Sequence, residues 1–195
     1  MMEAFLRATE VIDWRDPAVL SRARELAAGA VSPEEIARRC FRLVRDSIEH
    51  SADFERGPVT CAASEVLREG TGYCYAKSHL LAALLRANGI PAGLCYQRLA
   101  VGENGPPYCL HGLNAVYLAD FGWYRIDPRG NKPGVDAQFC PPLERLAFQV
   151  VHAEERDFRE VLADPLPVVL RALRSFATWD DLGNHLPDWE QASPA

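Results

Sequence analysis

Apolar residues recur at helical spacing in the first part of the chain. Asp16 followed by Pro17 is typical of an N-cap and first helical position, and Gly29 is placed to end the helix that the apolar residues between them predict. Ser32-Pro33-Glu34-Glu35 has the form of a capping box, and apolar residues recur after it up to His50. The pattern predicts two amphipathic helices that form an N-terminal layer.

A third helical segment is apolar on most of its surface. It runs from about Cys74 to Asn88, contains four leucines between residues 80 and 85, and is followed by Gly89 and Pro91, which end a helix. A shorter helix is expected from Ala62 to Glu69. Because a helix covered on several sides is rigid, we expect a side chain in its first turn to be held in place.

The hydrophobic pattern changes to that of β-strands after the third helix. Strands are predicted at Gly93–Leu99, Gly112–Leu118 and Trp123–Ile126. A loop is predicted at Val101–Tyr108, and Asp120-Phe121-Gly122 indicates a tight hairpin connection. Helices followed by an antiparallel sheet make an α+β arrangement.

The last third of the chain has a weaker pattern. Leu143–Phe148 fits a strand or a helix, Pro165–Leu173 predicts a short helix with proline in its first turn, and the segment past Asn184 is expected to be loose. With 195 residues, 48% of them hydrophobic, the chain suits one domain over residues 1–195. We divide it into the N-terminal helical layer (1–50), a core (60–132) and a C-terminal extension (133–195).

Composition and charge exclude several classes of partner. The formal net charge is −6 and charges of both signs are interspersed, which argues against nucleic acid or an anionic membrane as partner. The N-terminus lacks the apolar run of a secretory signal and the longest apolar run is too short to span a bilayer, so a cytoplasmic location is predicted. Nothing in the sequence indicates an oligomeric state.

Cysteine usage gives no sign of a metal site. The six cysteines are expected to be free thiols in a reducing compartment, with a Cys95–Cys109 bridge as an open alternative. The chain has no cysteine or histidine pairs at zinc-ligand spacing and no acidic loop at calcium-ligand spacing. We therefore expect no metal and no cofactor.

Cys74 lies where a glycine turn gives way to the apolar helix. The first N–H groups of a helix have no internal partner and its macrodipole is positive at this end, so a thiolate is stabilised there. A nucleophilic cysteine needs a base, and the base needs a third group to hold its tautomer. His111 opens a predicted strand, and Asp127, sixteen residues on, closes the returning strand.

Antiparallel pairing would bring the histidine and the carboxylate together. A turn near Asp120 puts Asp127 opposite about Leu113 to Ala115, one diagonal neighbour from His111. The register of the two strands decides whether both side chains point to the same face of the sheet. A slip of one residue would move one of the two side chains to the opposite face.

Each of these residues, taken alone, also has a purely structural explanation. Cys74 fits a small buried residue at a helix end, His111 a histidine at a strand start, and Asp127 a turn-forming Asp-Pro pair. Lys77, one turn after Cys74, is expected to be an exposed helix lysine, and His79 to be a core or edge histidine.

Motifs in a specific order resemble those of the transglutaminase-like superfamily, a branch of the papain-related folds. The segment Ala63–Cys74 resembles the one that leads to the family's nucleophile, and Leu80–Pro91 resembles its leucine-rich helix ending in Arg-Ala-x-Gly-Ile-Pro. His111 and the strand Gly122–Asp127 match the other two motifs in order and approximate spacing. The resemblance covers about Val44 to Lys132.

This resemblance implies a papain-like α+β fold, with N-terminal helices and a central nucleophile-bearing helix packed on an antiparallel sheet. It implies that Cys74 is the nucleophile, His111 the base and Asp127 the acid that orients the base. The sequence departs from the family at Gly93, where arginine is frequent, and has no tryptophan between the N-terminal helices and Cys74 to act as the oxyanion donor of animal transglutaminases. The Cys74 N–H supplies one donor, and the second is unassigned.

The reaction that the resemblance implies is acyl transfer or hydrolysis at an amide bond of a peptide or protein, through a thioester. Water as acceptor gives a peptidase or amidase, and an amine gives a transglutaminase. One alternative is a catalytically inert binding module that keeps the fold. Another is an arylamine N-acetyltransferase, which also uses cysteine, histidine and aspartate, but the chain is short for that fold and lacks its Arg-Gly-Gly-x-Cys pattern around Cys74.

Overall fold

The computed structural model describes residues 2–102 and 105–189 of the 195-residue chain. Its helices are a 3₁₀ turn at Met2–Phe5, α1 at Pro17–Ala27, α2 at Pro33–Ser47, α3 at Ala63–Glu69, α4 at Cys74–Ala87, α5 at Pro167–Ser175 and α6 at Trp179–Gly183. Its strands are β1 at Glu49–His50, β2 at Thr71–Gly72, β3 at Ala92–Gly102, β4 at Gly105–Leu118, β5 at Gly122–Ile126, β6 at Gln138–Cys140, β7 at Leu143–Arg145 and β8 at Arg156–Asp157. No helix within this described part is long and apolar enough to cross a membrane.

The two N-terminal helices begin where the capping residues predict. The Asp16 carboxylate accepts N–H bonds from Ala18 and Val19 at 2.9 and 3.2 Å, and the Ser32 hydroxyl accepts one from the Glu35 N–H at 3.1 Å. These caps satisfy amides that a helix leaves unpaired in its first turn. α1 and α2 each bury one face, and both pack against α4.

α4 is the central helix of the fold. Every residue from Cys74 to Arg86 is buried, and the helix contacts α1, α2, α3, β3 and β4. Its leucine and alanine side chains are apolar around the whole circumference, which is the pattern of a fully covered helix. The helix is followed by Gly89 with a φ of 71°, a conformation that favours glycine. Packing on all sides therefore fixes the first turn of α4.

The main sheet is antiparallel and has the strand order β5-β4-β3-β8. β4 and β5 pair around the predicted hairpin, with Asn114 opposite Ile126 and Leu118 opposite Gly122. α4 packs against β3 and β4, and Tyr75 in its first turn donates its hydroxyl to the Leu110 carbonyl of β4. The arrangement of helices and antiparallel sheet confirms the predicted α+β class.

The predicted loop at Val101–Tyr108 is wrong, because β3 and β4 continue as a long hairpin to within two residues of each other. Residues 103–104, between the two strands, lie outside the described part. Tyr108 pairs with Ala100, and the Arg98 guanidinium lies 4.2 Å from the centre of the Tyr108 ring. The glycines and prolines of this segment predict a loop, but contacts between the two paired strands keep it extended.

We predict a loose segment after Asn184, and for residues 185–189 this prediction is wrong. Leu110 on β4 donates its N–H to the Pro187 carbonyl at 2.7 Å, which ties this segment to the sheet. The sequence does not reveal this contact, because the partner strand lies far away along the chain. Residues 190–195 lie outside the described part.

The structure also shows the outcome of the predictions for residues 143–148, for the C-terminal helix and for the cysteines. The segment at 143–148 contributes a short strand, β7, which pairs with β6, and α5 begins at Pro167 with the proline in its first turn, as predicted. All six cysteines are free thiols. The register places Cys95 opposite Leu113, and Cys109 opposite Leu99, so the alternative Cys95–Cys109 bridge is not formed.

Candidate active site

Cys74 is the first residue of α4 and follows an extended Tyr73. The Gly112 N–H on β4 donates to Cys74 Sγ at 3.4 Å. The backbones are close here, because a Cβ added at Gly112 would lie 3.1 Å from the Tyr75 Cα. The sulfur therefore lies between the N-terminus of a helix and a strand amide that donates to it.

His111 and Asp127 form a direct hydrogen bond. His111 Nε2 lies 2.7 Å from Asp127 Oδ2, with His111 4% exposed and Asp127 fully buried. His111 lies inside β4 rather than at its start, because the strand begins earlier than predicted. The register pairs Ile126 with Asn114, so Asp127 follows one position further along and is diagonal to His111, as the hairpin predicts.

Asp127 has further hydrogen-bond donors around its carboxylate. The Arg129 N–H donates to Oδ1 at 3.1 Å and the Ala147 N–H donates to Oδ2 at 3.0 Å. Burial on its own raises the pKa of Asp127, but His111 and these two N–H groups outweigh it and hold the pKa below its usual value. The carboxylate is therefore held in its ionised form.

The surroundings of His111 favour the imidazolium form. Burial on its own lowers the pKa of His111, but the Asp127 carboxylate and the Cys74 sulfur raise it to about 10. Because Nε2 is bonded to Asp127, Nδ1 is the nitrogen left to interact with the Cys74 sulfur. The histidine thus lies between a carboxylate and a sulfur, with one ring nitrogen for each.

Cys74 and His111 line a cavity of about 560 Å³, a size typical of ligand sites. The Phe148 ring meets the His111 ring edge-on, with centroids 5.0 Å apart, and also lines the cavity. Asp127 lies behind His111 and does not line the cavity. The polar and charged residues of the lining beside the two reactive ones are His50, Gln149, Arg129, Lys132, His152 and Glu155.

A charged cluster that the sequence does not reveal lies at one end of the cavity. Arg129 Nη2 donates to Asp53 Oδ1 at 2.9 Å, and Lys132 Nζ donates to the same oxygen at 2.6 Å. Burial opposes ionisation of Asp53, but these two cations lower its pKa to about 2. No motif marks Asp53, which lies 76 residues before Arg129 in the chain.

Lys77 is fully buried, so the prediction that it is an exposed helix lysine is wrong. α4 is covered on every side, and Lys77 Nζ donates to the Ile48 carbonyl at the end of α2. Burial, with a further contribution from Arg129, lowers the pKa of Lys77 to about 7 despite the opposing effect of nearby carboxylates. Lys77 does not line the cavity that contains Cys74.

His79 is buried in the core, which is one of the two positions expected for it. Its Nδ1 lies 2.8 Å from the Cys61 carbonyl oxygen, and burial lowers the pKa of His79 to about 4, so the ring is neutral. Across residues 2–102 and 105–189 there is no group of three or more histidine, cysteine or acidic side chains that could hold a metal ion.

Comparison with known proteins agrees with this arrangement of elements. The family model described as the transglutaminase-like superfamily matches residues 21–128, which is more than half of the chain. No curated protein matches the sequence.

Two solved structures are similar over about two thirds of the chain. One is a "putative cysteine protease" from Cytophaga hutchinsonii, 19% identical, with a TM-score of 0.52 over 66% of this chain and 42% of that one. The other is the periplasmic domain of TgpA from Pseudomonas aeruginosa, 21% identical, with a TM-score of 0.51 over 65% of this chain and 46% of that one. At this identity the similarity shows a common fold, and this chain spans less than half the length of either protein.

Proposed function

The chain belongs to the transglutaminase-like superfamily, and on that premise we propose that it is a cysteine-dependent enzyme acting on an amide carbonyl of a peptide or protein. One observation carries the proposal: a cysteine at a helix N-terminus faces a histidine that is hydrogen-bonded to a buried carboxylate. A nucleophile, a base and a group that orients the base are the parts that thiol acyl transfer needs.

The proposed reaction uses each of the three residues in turn. The Cys74 thiolate attacks the carbonyl carbon and forms a C–S bond, while the π electrons of the C=O bond move onto the oxygen to give a tetrahedral oxyanion. The oxyanion collapses to a thioester, and the leaving amine takes the proton from His111. Water or a second amine then attacks the thioester while His111 accepts its proton, the C–S bond breaks and the Cys74 thiolate is released. Asp127 holds the ring in position throughout.

The burial of Asp127 favours an enzyme over the inert binding module. Placing a carboxylate in the interior is costly unless it is paired, and a buried ion pair adds little net stability to a fold. Here the carboxylate is fully buried and is aimed at a histidine whose other nitrogen faces a cavity cysteine. A module that only binds a partner has no use for this arrangement.

The cavity lining supports a peptide rather than a small charged metabolite as substrate. The side chains of Tyr73, Leu99, Leu110 and Phe148 give it a largely apolar wall, and the exposed Val151 is also part of the lining. An apolar wall takes up an apolar side chain of a substrate, while the chain continues outside. The acceptor, water or amine, distinguishes an amidase from a transferase.

The proposal is tested by iodoacetamide labelling of each cysteine as a function of pH, read by peptide mass spectrometry on wild type and His111→Ala. We expect Cys74 alone to react rapidly below pH 7, and to lose this reactivity in the variant, because the imidazolium stabilises the thiolate. A Cys74 that reacts no faster than the other five cysteines would falsify the proposal. The acceptor is then identified with peptide amides and an added amine. Release of the amide's amine without incorporation of the added amine indicates water, and incorporation indicates an amine acceptor.

A further inference from the structure

A second histidine, His50, lies in the same cavity as Cys74. It ends the two-residue strand β1, where it pairs with Gly72, two residues before Cys74 in the chain. Its ring packs edge-on against the Tyr73 ring, with centroids 5.4 Å apart. His50 lines the cavity together with Cys74 and His111 and is 7% exposed. It is therefore a buried polar side chain beside the nucleophile.

The two ring nitrogens of His50 have different surroundings. Nδ1 is fully buried and has no hydrogen-bond partner in the described part of the chain; the nearest carboxylate oxygen, Asp53 Oδ2, is 3.8 Å away, too far for a hydrogen bond. Nε2 makes no hydrogen bond to a described residue and is not among the fully buried unpartnered atoms. Nε2 is thus the ring nitrogen left open to a ligand, and His50 lines both the Cys74 cavity and the smaller pocket beside Asp53.

The proposed reaction leaves one chemical requirement unmet by the three residues described so far. The oxyanion that forms on the substrate needs hydrogen-bond donors placed in advance. The Cys74 N–H, at the first position of α4, has no acceptor within the helix and supplies one. The nearby Gly112 N–H is directed at the sulfur instead. A second donor has to come from the cavity wall.

We propose that His50 is this second donor, and that its Nε2–H binds the oxyanion that forms when Cys74 attacks the substrate carbonyl. The inference rests on the proposed function, since it concerns the same reaction. It makes His50 a catalytic residue, because its ring would touch the reacting oxygen. It also explains why an unpaired imidazole is kept in a buried position next to the nucleophile.

The charge state of His50 fits a neutral donor. Burial lowers the pKa of His50 well below its ordinary value, Arg129, Lys77 and His111 lower it further, and Asp53 opposes them. The ring therefore carries a single proton at neutral pH. No acceptor lies within hydrogen-bond distance of Nδ1, and the charge of the nearest carboxylate, Asp53, is offset by Arg129 and Lys132, so Nε2 can carry the proton. A neutral imidazole acts as a hydrogen-bonding electrophile at carbonyl oxygens in other enzymes.

The test compares two reactions of Cys74, of which only one forms an oxyanion. Attack on p-nitrophenyl acetate passes through a tetrahedral oxyanion and releases p-nitrophenolate as the thioester forms. Alkylation by iodoacetamide displaces iodide at a saturated carbon and leaves the carbonyl oxygen unchanged. Loss of an oxyanion donor therefore slows acylation and leaves alkylation as it was.

Two variants are compared, His50→Gln and His50→Met. The two new side chains have the same length, but only glutamine carries an N–H donor. We expect acylation to fall by about 10²–10³-fold in His50→Met, with alkylation within about threefold of wild type, and His50→Gln to recover most of the acylation rate. His185→Met is the matched control, because His185 is exposed and does not line the cavity. If circular dichroism shows that His50→Met does not fold, His50→Phe replaces it, since its ring fills the same space without a donor.

Three results would overturn the proposal. Acylation of the donor-free variant at the wild-type rate would show that His50 does not bind the oxyanion. A parallel loss of acylation and alkylation would show that His50 acts on the thiolate instead. Absence of Cys74-dependent acylation in wild type, with Cys74→Ala as blank, would overturn the proposed function itself and this assignment with it.

Discussion

The two histidines of the cavity are equally buried, yet their surroundings shift their pKa values in opposite directions. His111 is 4% exposed and His50 is 7% exposed, and burial lowers the pKa of both. The pKa of His111 nevertheless rises to about 10, whereas that of His50 falls well below its ordinary value. Burial therefore does not decide whether a cavity histidine is charged.

The two pKa values differ because the carboxylate near each histidine has different other partners. Asp127 lies 2.7 Å from His111, and its other donors are neutral backbone N–H groups, so its full charge acts on the imidazole. Asp53 lies 3.8 Å from His50 and is bound by two cations, Arg129 and Lys132. A carboxylate that is already neutralised by cations cannot also charge a histidine. The same residue type can thus serve as a base at one position and as a neutral donor at the other.

The largest effect on activity is expected when the Asp127 charge beside His111 is removed, because His111 then lacks an effective anionic partner, as His50 does. Asp127→Asn keeps the size of the side chain but removes the charge that raises the pKa of His111. We expect kcat to fall by about 10⁴-fold, the loss seen when the orienting aspartate of a catalytic triad is replaced in this way. Rapid alkylation of Cys74 below pH 7 should disappear with it. The first is measured with p-nitrophenyl acetate and the second with iodoacetamide.

Folding has to be checked for this variant, because Asp127 is fully buried. Circular dichroism and thermal unfolding serve as controls, and Asp127→Glu keeps the charge with an altered length. An Asp127→Asn protein that is folded and fully active would remove Asp127 from the mechanism.

The opposite pKa shifts predict opposite pH dependences of stability. A histidine with a folded-state pKa of about 10 and an unfolded value near 6.5 stabilises the fold fully below pH 6.5 and loses this as the pH rises to about 10. His50, whose folded pKa is lowered, contributes above pH 6.5 and loses its contribution as the pH falls. One pKa unit corresponds to about 1.4 kcal/mol, so for His111 we expect a difference of a few kcal/mol.

Urea unfolding of wild type, His111→Gln and His50→Gln between pH 5 and pH 10 measures these differences. The stability advantage of wild type over His111→Gln should shrink towards high pH, and its advantage over His50→Gln should shrink towards low pH. Two parallel curves would mean that the two histidines do not differ in charge.

A smaller effect is expected from the carboxylate next to His50. Asp53→Asn leaves Arg129, which is mostly buried, without its charged partner. We expect the free energy of unfolding to fall towards the lower end of the about 3–5 kcal/mol typical of a broken buried pair, since Asp53 is partly exposed. His50 is already neutral with Asp53 present, so its charge should not change. Urea unfolding gives the stability, and an NMR titration of the His50 ring gives the charge.

The matched comparison is between Asp53→Asn and Asp127→Asn, which make the same chemical change at the two carboxylates. Cys74 alkylation below pH 7 should survive in the first variant and be lost in the second. Equal losses would contradict the view that only Asp127 charges a histidine.

The contrast between the two histidines also separates what the sequence predicts from what it does not. Cys74 could be predicted because a glycine turn followed by an apolar helix is a local pattern. The relation of His111 to Asp127 follows from one tight hairpin, whose turn at 120–122 sets the register of both strands. Both inferences need only neighbouring segments, and the structure brings these three residues together.

His50 and Lys77 could not be placed in this way, because their positions depend on contacts between distant segments. The pairing of β1 with β2 involves only two residues of each strand and leaves no periodic pattern. The burial of Lys77 depends on what covers the charged side of α4, and that covering includes the end of α2 and the segment after β5. Similarly, the partner of Arg129 is an acidic residue in a loop without a motif.

The smallest effect is expected at Lys132, the exposed member of the cluster that neutralises Asp53. Lys132→Met removes an ion pair whose lysine side chain is 43% exposed, and exposed pairs contribute about 0–1 kcal/mol. We expect urea unfolding to show a loss of less than about 1 kcal/mol. Arg129→Met, at a side chain only 8% exposed, should lose clearly more, because it leaves Asp53 without its buried partner. Equal losses in the two variants would mean that Arg129 and Lys132 share the neutralisation of Asp53, and that the charge state of His50 depends on both.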